Sequence, residues 1–434
     1  MEPAHPKVSR RKLATSSEFI ADPTPPLWEV DAQTSLKLLA LLENSTINDS
    51  DPPTSYPTAT KDSDLNNDLR RMLSIGSVVS TSSSAAERHN KAQRDGQNDF
   101  RKIGAGACGA VFAQDGKSIV VKLAKASDRD LWNDYVMHTR IATELDRFVI
   151  NGLKVPACYY FVPQEHTEFF DRYPGLMSAA NGILNLPTAA LLTERILPLP
   201  QVVREKLIQK YCPERIRNRA MAETSSEDCL VRPYLGSVKG KSNMMFFSLR
   251  NLKLHLNQLL ELGLDIEAIS TSMGHSLAVM HWSAQTDARD VEFVLGSSSK
   301  KTTIAPTSEE LETMAPLSYT GPESYVMEDF FCRTTELFLL DFNQVRRITM
   351  DDAGITLAVE AFRINDPYYP RPLRTSKEEQ LVWKAFVVSY LDASESILQD
   401  MDDVTIDVLT LPRKFIQGII EAERVKISDM GHQH

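Results

Sequence analysis

Gly104-Ala105-Gly106-Ala107-Cys108-Gly109-Ala110-Val111 is the stretch on which the reading of this chain turns. Its G-x-G-x-x-G-x-V spacing occurs in two settings, and the residues after the glycines separate them. A glycine loop that opens a helix presents helix-terminal N–H groups to a pyrophosphate. Here the glycines lead instead into Ala110-Val111-Phe112 and a Gln114-Asp115-Gly116 step. Asp-Gly is a hairpin signal, so the spacing predicts strands over 102–112 and 118–123, with the glycines forming a lid. In such a lid, Gly104, Gly106 and Gly109 let backbone N–H groups approach nucleotide phosphates, and Val111 packs beside them.

The second strand carries Lys122 within Val120-Val121-Lys122-Leu123. An unpaired ammonium in an apolar strand is costly to desolvate, so it must turn outward or meet a carboxylate and a phosphate. The next periodic segment, a helix over 131–149, offers two acids. Asp134 lies on the face shared with Met137, His138, Ile141 and Leu145, while Glu144 lies to one side. His138 on that face reads as a hydrogen-bonded core residue or a ligand contact. An apolar strand over 189–196 ends at Leu197-Pro198-Leu199-Pro200, a linker signal. The backbone around Glu194, from Thr193 to Ile196, is expected to line an adenine.

Phosphoryl transfer requires an acid to orient the attacking hydroxyl and oxygen ligands for a metal bridging the phosphates. Thr286-Asp287-Ala288-Arg289-Asp290-Val291-Glu292 offers such a register. Asp287 reads as the base and Glu292, five positions on, as a metal ligand. Taking Asp290 as the base would put Leu295 at the ligand position, which cannot coordinate. Phe338-Leu339-Leu340-Asp341-Phe342-Asn343 delivers a further acid at the end of an apolar strand, and Asp341 reads as the second magnesium ligand.

In this order the motifs resemble those of the protein-kinase-like superfamily, closer to aminoglycoside and choline phosphotransferases than to typical protein kinases. More narrowly, His281-Trp282, the 287–296 stretch, Leu340-Asp341-Phe342-Asn343 and Asn365-Asp366-Pro367-Tyr368-Tyr369-Pro370-Arg371-Pro372 resemble an uncharacterised fungal family labelled as zinc-finger proteins. The resemblance implies an α+β, bilobal fold, with a small antiparallel β lobe over 99–200 and a mainly α-helical lobe over 201–434. It also implies ATP and magnesium as cofactors and a small hydroxylated or amino compound, or a protein, as substrate. The chain departs from that pattern. Gln285 and Thr286 stand where a His-Arg pair is usual, and Glu292 replaces a neutral amide. A catalytically weak module acting as a regulator or scaffold is therefore the alternative to a phosphotransferase.

The rest of the chain bounds these readings. Residues 1–98 hold only Phe19, Trp28 and Tyr56 as aromatics and are rich in Ser and Thr, so they are expected to be disordered and to recruit partners. Within them, Leu38, Leu41 and Leu42 mark a short helical face for docking or partner binding. Arg70-Arg71-Met72-Leu73-Ser74 reads as a basophilic phosphorylation motif. The Ser- and Thr-rich stretch 297–333 reads as an inserted loop, a lid or disordered. A helix is expected over 252–264, and another over 378–398 burying Leu381, Phe386, Val387, Tyr390 and Leu391. A net charge of -10 argues against a broad nucleic-acid surface. No apolar run suits a membrane span, and five scattered cysteines, Cys108, Cys158, Cys212, Cys229 and Cys332, supply neither a zinc finger nor a disulfide framework. An intracellular setting, cytoplasmic or nuclear, is expected.

Overall fold

The computed structural model describes residues 61–80, 100–114, 117–126, 128–240, 247–250, 252–304, 325–402 and 404–431, all within one compact unit, 56–434. They form a mixed α+β structure with two sheets. In chain order the strands are β1 (Val78–Ser80), β2 (Phe100–Ala105), β3 (Gly109–Gln114), β4 (Ile119–Ala124), β5 (Leu153–Lys154), β6 (Cys158–Val162), β7 (Ala190–Glu194), β8 (Val231–Tyr234), β9 (Leu252–His255), β10 (Glu292–Ile304) and β11 (Tyr325–Leu340).

The first sheet runs β2-β3-β4-β7-β6, every neighbouring pair antiparallel. Alternation along β3 and β4 sends Ala110, Phe112, Val121 and Leu123 to one face, where Phe169, Phe170 and Leu176 cover them. Phe112 is fully buried, which is worth about 2–3 kcal/mol. On the other face, Ala124, Ala189 and Leu191 receive Leu131 of the helix Asp128–Arg147. That helix has the 3.6-residue apolar spacing read from the sequence, with Leu131, Asp134, Met137, His138, Ile141 and Leu145 buried.

The second sheet runs β1-β11-β10-β8-β9, with β5 added in parallel to β11. The short helix Leu256–Glu261 lies against β8 and β9, and beyond it Ile266–Ala278 packs on Lys377–Gln399. A Cβ at Gly274 would sit 2.5 Å from the Phe386 carbonyl oxygen, so only glycine permits that approach. Aromatic rings of Phe362, Tyr369, Phe386, Tyr390 and Phe415 pack together where Lys377–Gln399 meets the helices Asp352–Ile364 and Ile406–Gly431.

Several expectations are corrected. Residues 61–80 are ordered: Lys61–Leu73 is a helix burying Leu65, Leu69, Met72 and Leu73, and β1 pairs with β11. Four apolar side chains and the Asp68–Lys206 pair at 2.7 Å offset the ordering entropy that the Ser/Thr-rich composition suggested would prevail. The proposed Leu38 helix and the rest of 1–98 lie outside the described residues, as does the Asp115-Gly116 step. Ser74 ends the ordered helix, its hydroxyl donating to the Arg70 carbonyl at 2.7 Å. The 297–333 stretch is not a loop throughout, because β10 and β11 extend into it and pair as far as Ile304 with Tyr325. Thr, Ile, Val and Tyr there suit a strand better than their Ser neighbours suggested. Residues 305–324 lie outside the described set. Leu252–His255 is a strand, pairing in parallel with β8, rather than the first turn of a helix. In Lys377–Gln399 the buried face includes Val382 and Trp383, while Leu381 is exposed. No helix of the described residues is long and apolar enough to cross a membrane.

Candidate functional site

The glycine stretch forms the tip between β2 and β3. Gly106 N–H donates to the Gly109 carbonyl at 2.9 Å, and Lys125 ties the tip down through the Gly106 carbonyl at 2.6 Å. A Cβ at Gly109 would lie 2.8 Å from the Leu123 carbonyl oxygen, whereas at Gly106 it would meet nothing within 4 Å. One glycine is therefore required by strand approach, and the other leaves open space. Beneath the tip, Lys122 on β4 sits between Val111 and Leu191 of the adjoining strands.

Lys122 Nζ donates to Asp134 Oδ2 at 2.7 Å and to Asp341 Oδ1 at 2.9 Å. Burial alone would push its pKa down, but the two carboxylates outweigh it and hold the ammonium well above the ordinary lysine range. Of the two acids the sequence offers, Asp134 makes the contact; Glu144 instead accepts from Arg147 and Ser283. Asp134 Oδ1 also accepts from Phe342 N–H at 3.1 Å, which fixes the residue after Asp341. Asp341 itself has φ +64°, a conformation a non-glycine residue adopts only when its surroundings hold it there. His138 is buried, 2.7 Å from the Pro156 carbonyl, with its ring against Phe342.

These residues line a cavity of about 240 Å3 that also includes Thr193, Glu194, Arg195, Ile196, Arg232 and Glu292. Glu194 and Arg195 give their backbone N–H groups to Ala157 and Ser118, leaving Ile196 with no backbone N–H partner among the described residues. Glu292 accepts from Arg232 at 2.6 Å. Burial pushes the Glu292 carboxyl up to about 7; Arg232 opposes that rise, and Asp341 and Asp290 add to it. Glu292 and Asp341 both line the cavity, which places two hard oxygen donors on one cleft. Among the described residues no cluster of three or more His, Cys, Asp or Glu is arranged to hold a metal. A magnesium ion would thus rely on these two carboxylates together with water and phosphate oxygens, which suits its usual coordination.

Asp287 does not stand in this cleft. Its carboxylate is fully buried and accepts from Arg289 N–H, Arg346 N–H and Arg346 Nε at 3.1, 2.9 and 2.6 Å. Held in this way it braces two loops, and it is not among the residues that line the cavity. Asp290, which the register sets aside, is the half-buried acid whose proton affinity is raised by burial and then by Asp341 and Asp366. Gln285, Ala288 and Asp290 all have positive φ, and Asn365 holds the last two in place by accepting from Asp290 N–H at 2.7 Å and donating to the Ala288 carbonyl at 3.0 Å. Spacing along one chain could not reveal this, because the clamp comes from the Asn365-Asp366-Pro367 turn.

The sequence reading also missed the arginines. Arg232 in Val231-Arg232-Pro233-Tyr234 is a cation in a strand, the same signal that singled out Lys122. Asp228, buried at the edge of the cleft, accepts from Arg101 of β2 at 2.7 Å and from Arg250 at 3.3 Å. The Arg101 pair ties the glycine-bearing hairpin to the chain segment that leads into the second sheet. A larger groove, about 940 Å3, runs along the helices Ile266–Ala278 and Lys377–Gln399, but holds none of the candidate catalytic, nucleotide or metal residues read from sequence.

A family model described as DUF3669, Zinc finger protein, matches residues 337–402. No curated protein matches the chain. The match overturns the assignment to the protein-kinase-like superfamily, since nothing in the comparisons places the chain there. Residues 337–402 contain neither Cys nor His, so they hold no zinc-finger ligands of the usual kind. All five cysteines are free thiols.

Proposed function

We propose that the cleft binds a magnesium–nucleoside triphosphate such as ATP, and that it serves phosphoryl transfer to a small hydroxylated or amino acceptor. One observation carries this reading: Lys122 is held between Asp134 and Asp341 beneath a glycine hairpin, with Glu292 on the same cavity. Lys122 would meet the phosphates and Asp134 would orient it. Glu292 and Asp341 would hold magnesium, which neutralises charge developing on the transferred group. Asp290, whose proton affinity is raised by burial and then by Asp341, would orient an acceptor. The cavity falls below the roughly 300 Å3 typical of ligand clefts at their smallest. Entry of a nucleotide therefore requires the hairpin to lift, against the Arg101–Asp228 pair.

A second reading, a nucleotide-binding module without turnover, is favoured by the pairing of acids in the site. Glu292 is neutralised by Arg232 and Asp341 by Lys122. Calorimetric titration with ATP, with and without magnesium, tests both readings. Wild type is expected to bind only with magnesium, and Lys122→Met and Asp341→Asn to lose at least about tenfold in affinity, the effect of one charge-assisted contact. Absence of binding in wild type would sink the proposal; binding without ATP consumption across a panel of small alcohols and amines would select the second reading.

A further inference from the structure

One wall of the cleft is the extended segment Leu230-Val231-Arg232, which leads into β8. Leu230 and Arg232 line the cavity while Cys229 and Val231 are fully buried behind them, the alternation of an extended chain. The two lining residues stand at different ends. A Cβ at Gly296 of β10 would lie 2.5 Å from Ile196 Cγ2 and 3.1 Å from Leu230 Cδ2, so Leu230 stands with Ile196 at the end expected to receive an adenine. Arg232 is about 7 Å farther along the strand. There its Nη2 donates to Oε2 of Glu292, the first residue of β10, at 2.6 Å. On its other side, Nη1 lies 3.8 Å from Asp366 Oδ2, an oxygen that also accepts from the Tyr234 hydroxyl. Asp366 does not line the cavity. Arg232 is thus shared between an acid in the cleft and an acid anchored behind it.

Glu292 Oε2 cannot serve Arg232 and a metal ion at once. When Glu292 turns to magnesium, Arg232 keeps Asp366 and loses its partner on the cavity side. A guanidinium only 13% exposed is costly to leave in that state, and an anion entering the cavity restores the balance. We propose that this anion is the terminal phosphate of the bound nucleotide, so that Arg232 makes the cleft select a triphosphate over a diphosphate. The proposal rests on the nucleotide reading of the cleft. Guanidinium forks match phosphate oxygens in pairs. Lys122 comes from the first sheet, beneath the hairpin, whereas Arg232 comes from the second sheet at the end away from Ile196, so the two cations meet different parts of a phosphate chain. Arg195 and Arg250, also on the cavity, are held by the Gln114 carbonyl and by Asp228.

Calorimetric titration of the full chain with magnesium–ATP and magnesium–ADP reads this selection as a ratio of dissociation constants. Wild type is expected to bind ATP at least about tenfold more tightly than ADP, the effect of one charge-assisted contact. Arg232→Met should lose about tenfold for ATP and less than about threefold for ADP, which removes most of the preference. Arg232→Lys keeps a charge opposite Glu292 and Asp366 but offers a point contact in place of the fork, so its ratio should fall between the two. Should Arg232→Met fail to fold, as its melt would show, the lysine variant decides alone: a reduced ratio supports the proposal and the wild-type ratio overturns it. A wild type that binds both nucleotides equally, or variants that weaken ATP and ADP by the same factor, would also overturn it while leaving nucleotide binding intact. Wild type binding neither nucleotide would overturn the reading of the cleft, and this proposal with it.

Discussion

Glu292→Gln tests whether the cleft is built to hold a charge that the protein alone disfavours. The Glu292 side chain is 22% exposed, and its folded pKa is about 7 against an ordinary 4.5. Below pH 4.5 the carboxyl is protonated whether the chain is folded or not, so it contributes no pH dependence. Between 4.5 and 7 the unfolded chain releases the proton while the folded chain retains it, and stability falls as pH rises. The distance from 4.5 to about 7, at about 1.4 kcal/mol per pH unit, makes that loss about 3.5 kcal/mol, complete above pH 7. Glutamine is neutral at every pH and lacks this slope. Thermal melts at pH 5 and pH 8 without magnesium are therefore expected to show wild type losing roughly 5 °C relative to Glu292→Gln. Adding magnesium and ATP at pH 8 should return most of that difference to wild type and little to the variant, because only the carboxylate gains a cation. Parallel pH dependence of the two proteins would refute the reasoning, since it would mean that burial does not penalise this charge.

The hairpin and the two acids of the strained loop offer further tests. Gly106→Ala should leave the melting temperature unchanged yet weaken magnesium–ATP binding, whereas Gly109→Ala should lower the melting temperature, because only at Gly109 does a Cβ meet backbone within 3 Å. Asp287→Ala leaves three donors, two of them on Arg346, without their acceptor and is expected to cost about 1–3 kcal/mol in urea unfolding, with ATP affinity of the folded protein retained. Asp290→Asn should do the reverse: near-native stability, normal ATP affinity and loss of transfer to any acceptor that supports turnover. If Asp287→Ala unfolded no more readily than Asp290→Asn, the bracing role assigned to Asp287 would be wrong.

Much of the local structure was legible in sequence because its signals are local. The strands before and after Gln114 are read from the residues that follow the glycines, although the single strand expected over 102–112 is broken at the glycines into β2 and β3, and the Asp128–Arg147 helix is read from apolar spacing that also put Asp134 on the face toward β4. Lys122 stood out because a cation in an apolar strand requires a partner. The same rule, applied to Val231-Arg232-Pro233, would have found Arg232. The errors arose where composition or register stood in for contacts. Residues 61–80 and the flanks of 305–324 looked too rich in Ser and Thr to fold, yet pairing along β11 orders both.

By itself, then, the sequence determined which charged residues were available to the cleft and most of the strands and helices that would carry them, since periodicity and turn chemistry act over a few residues. Only the tertiary structure decided which acids meet which cations. Asp287 and Asp290 are three positions apart, but Arg346 draws one into a buried brace while Asn365 holds the other through its backbone N–H with its carboxylate half-buried. Charge pairing depends on distance in space and on local dielectric, and neither is written in the spacing of residues along a chain.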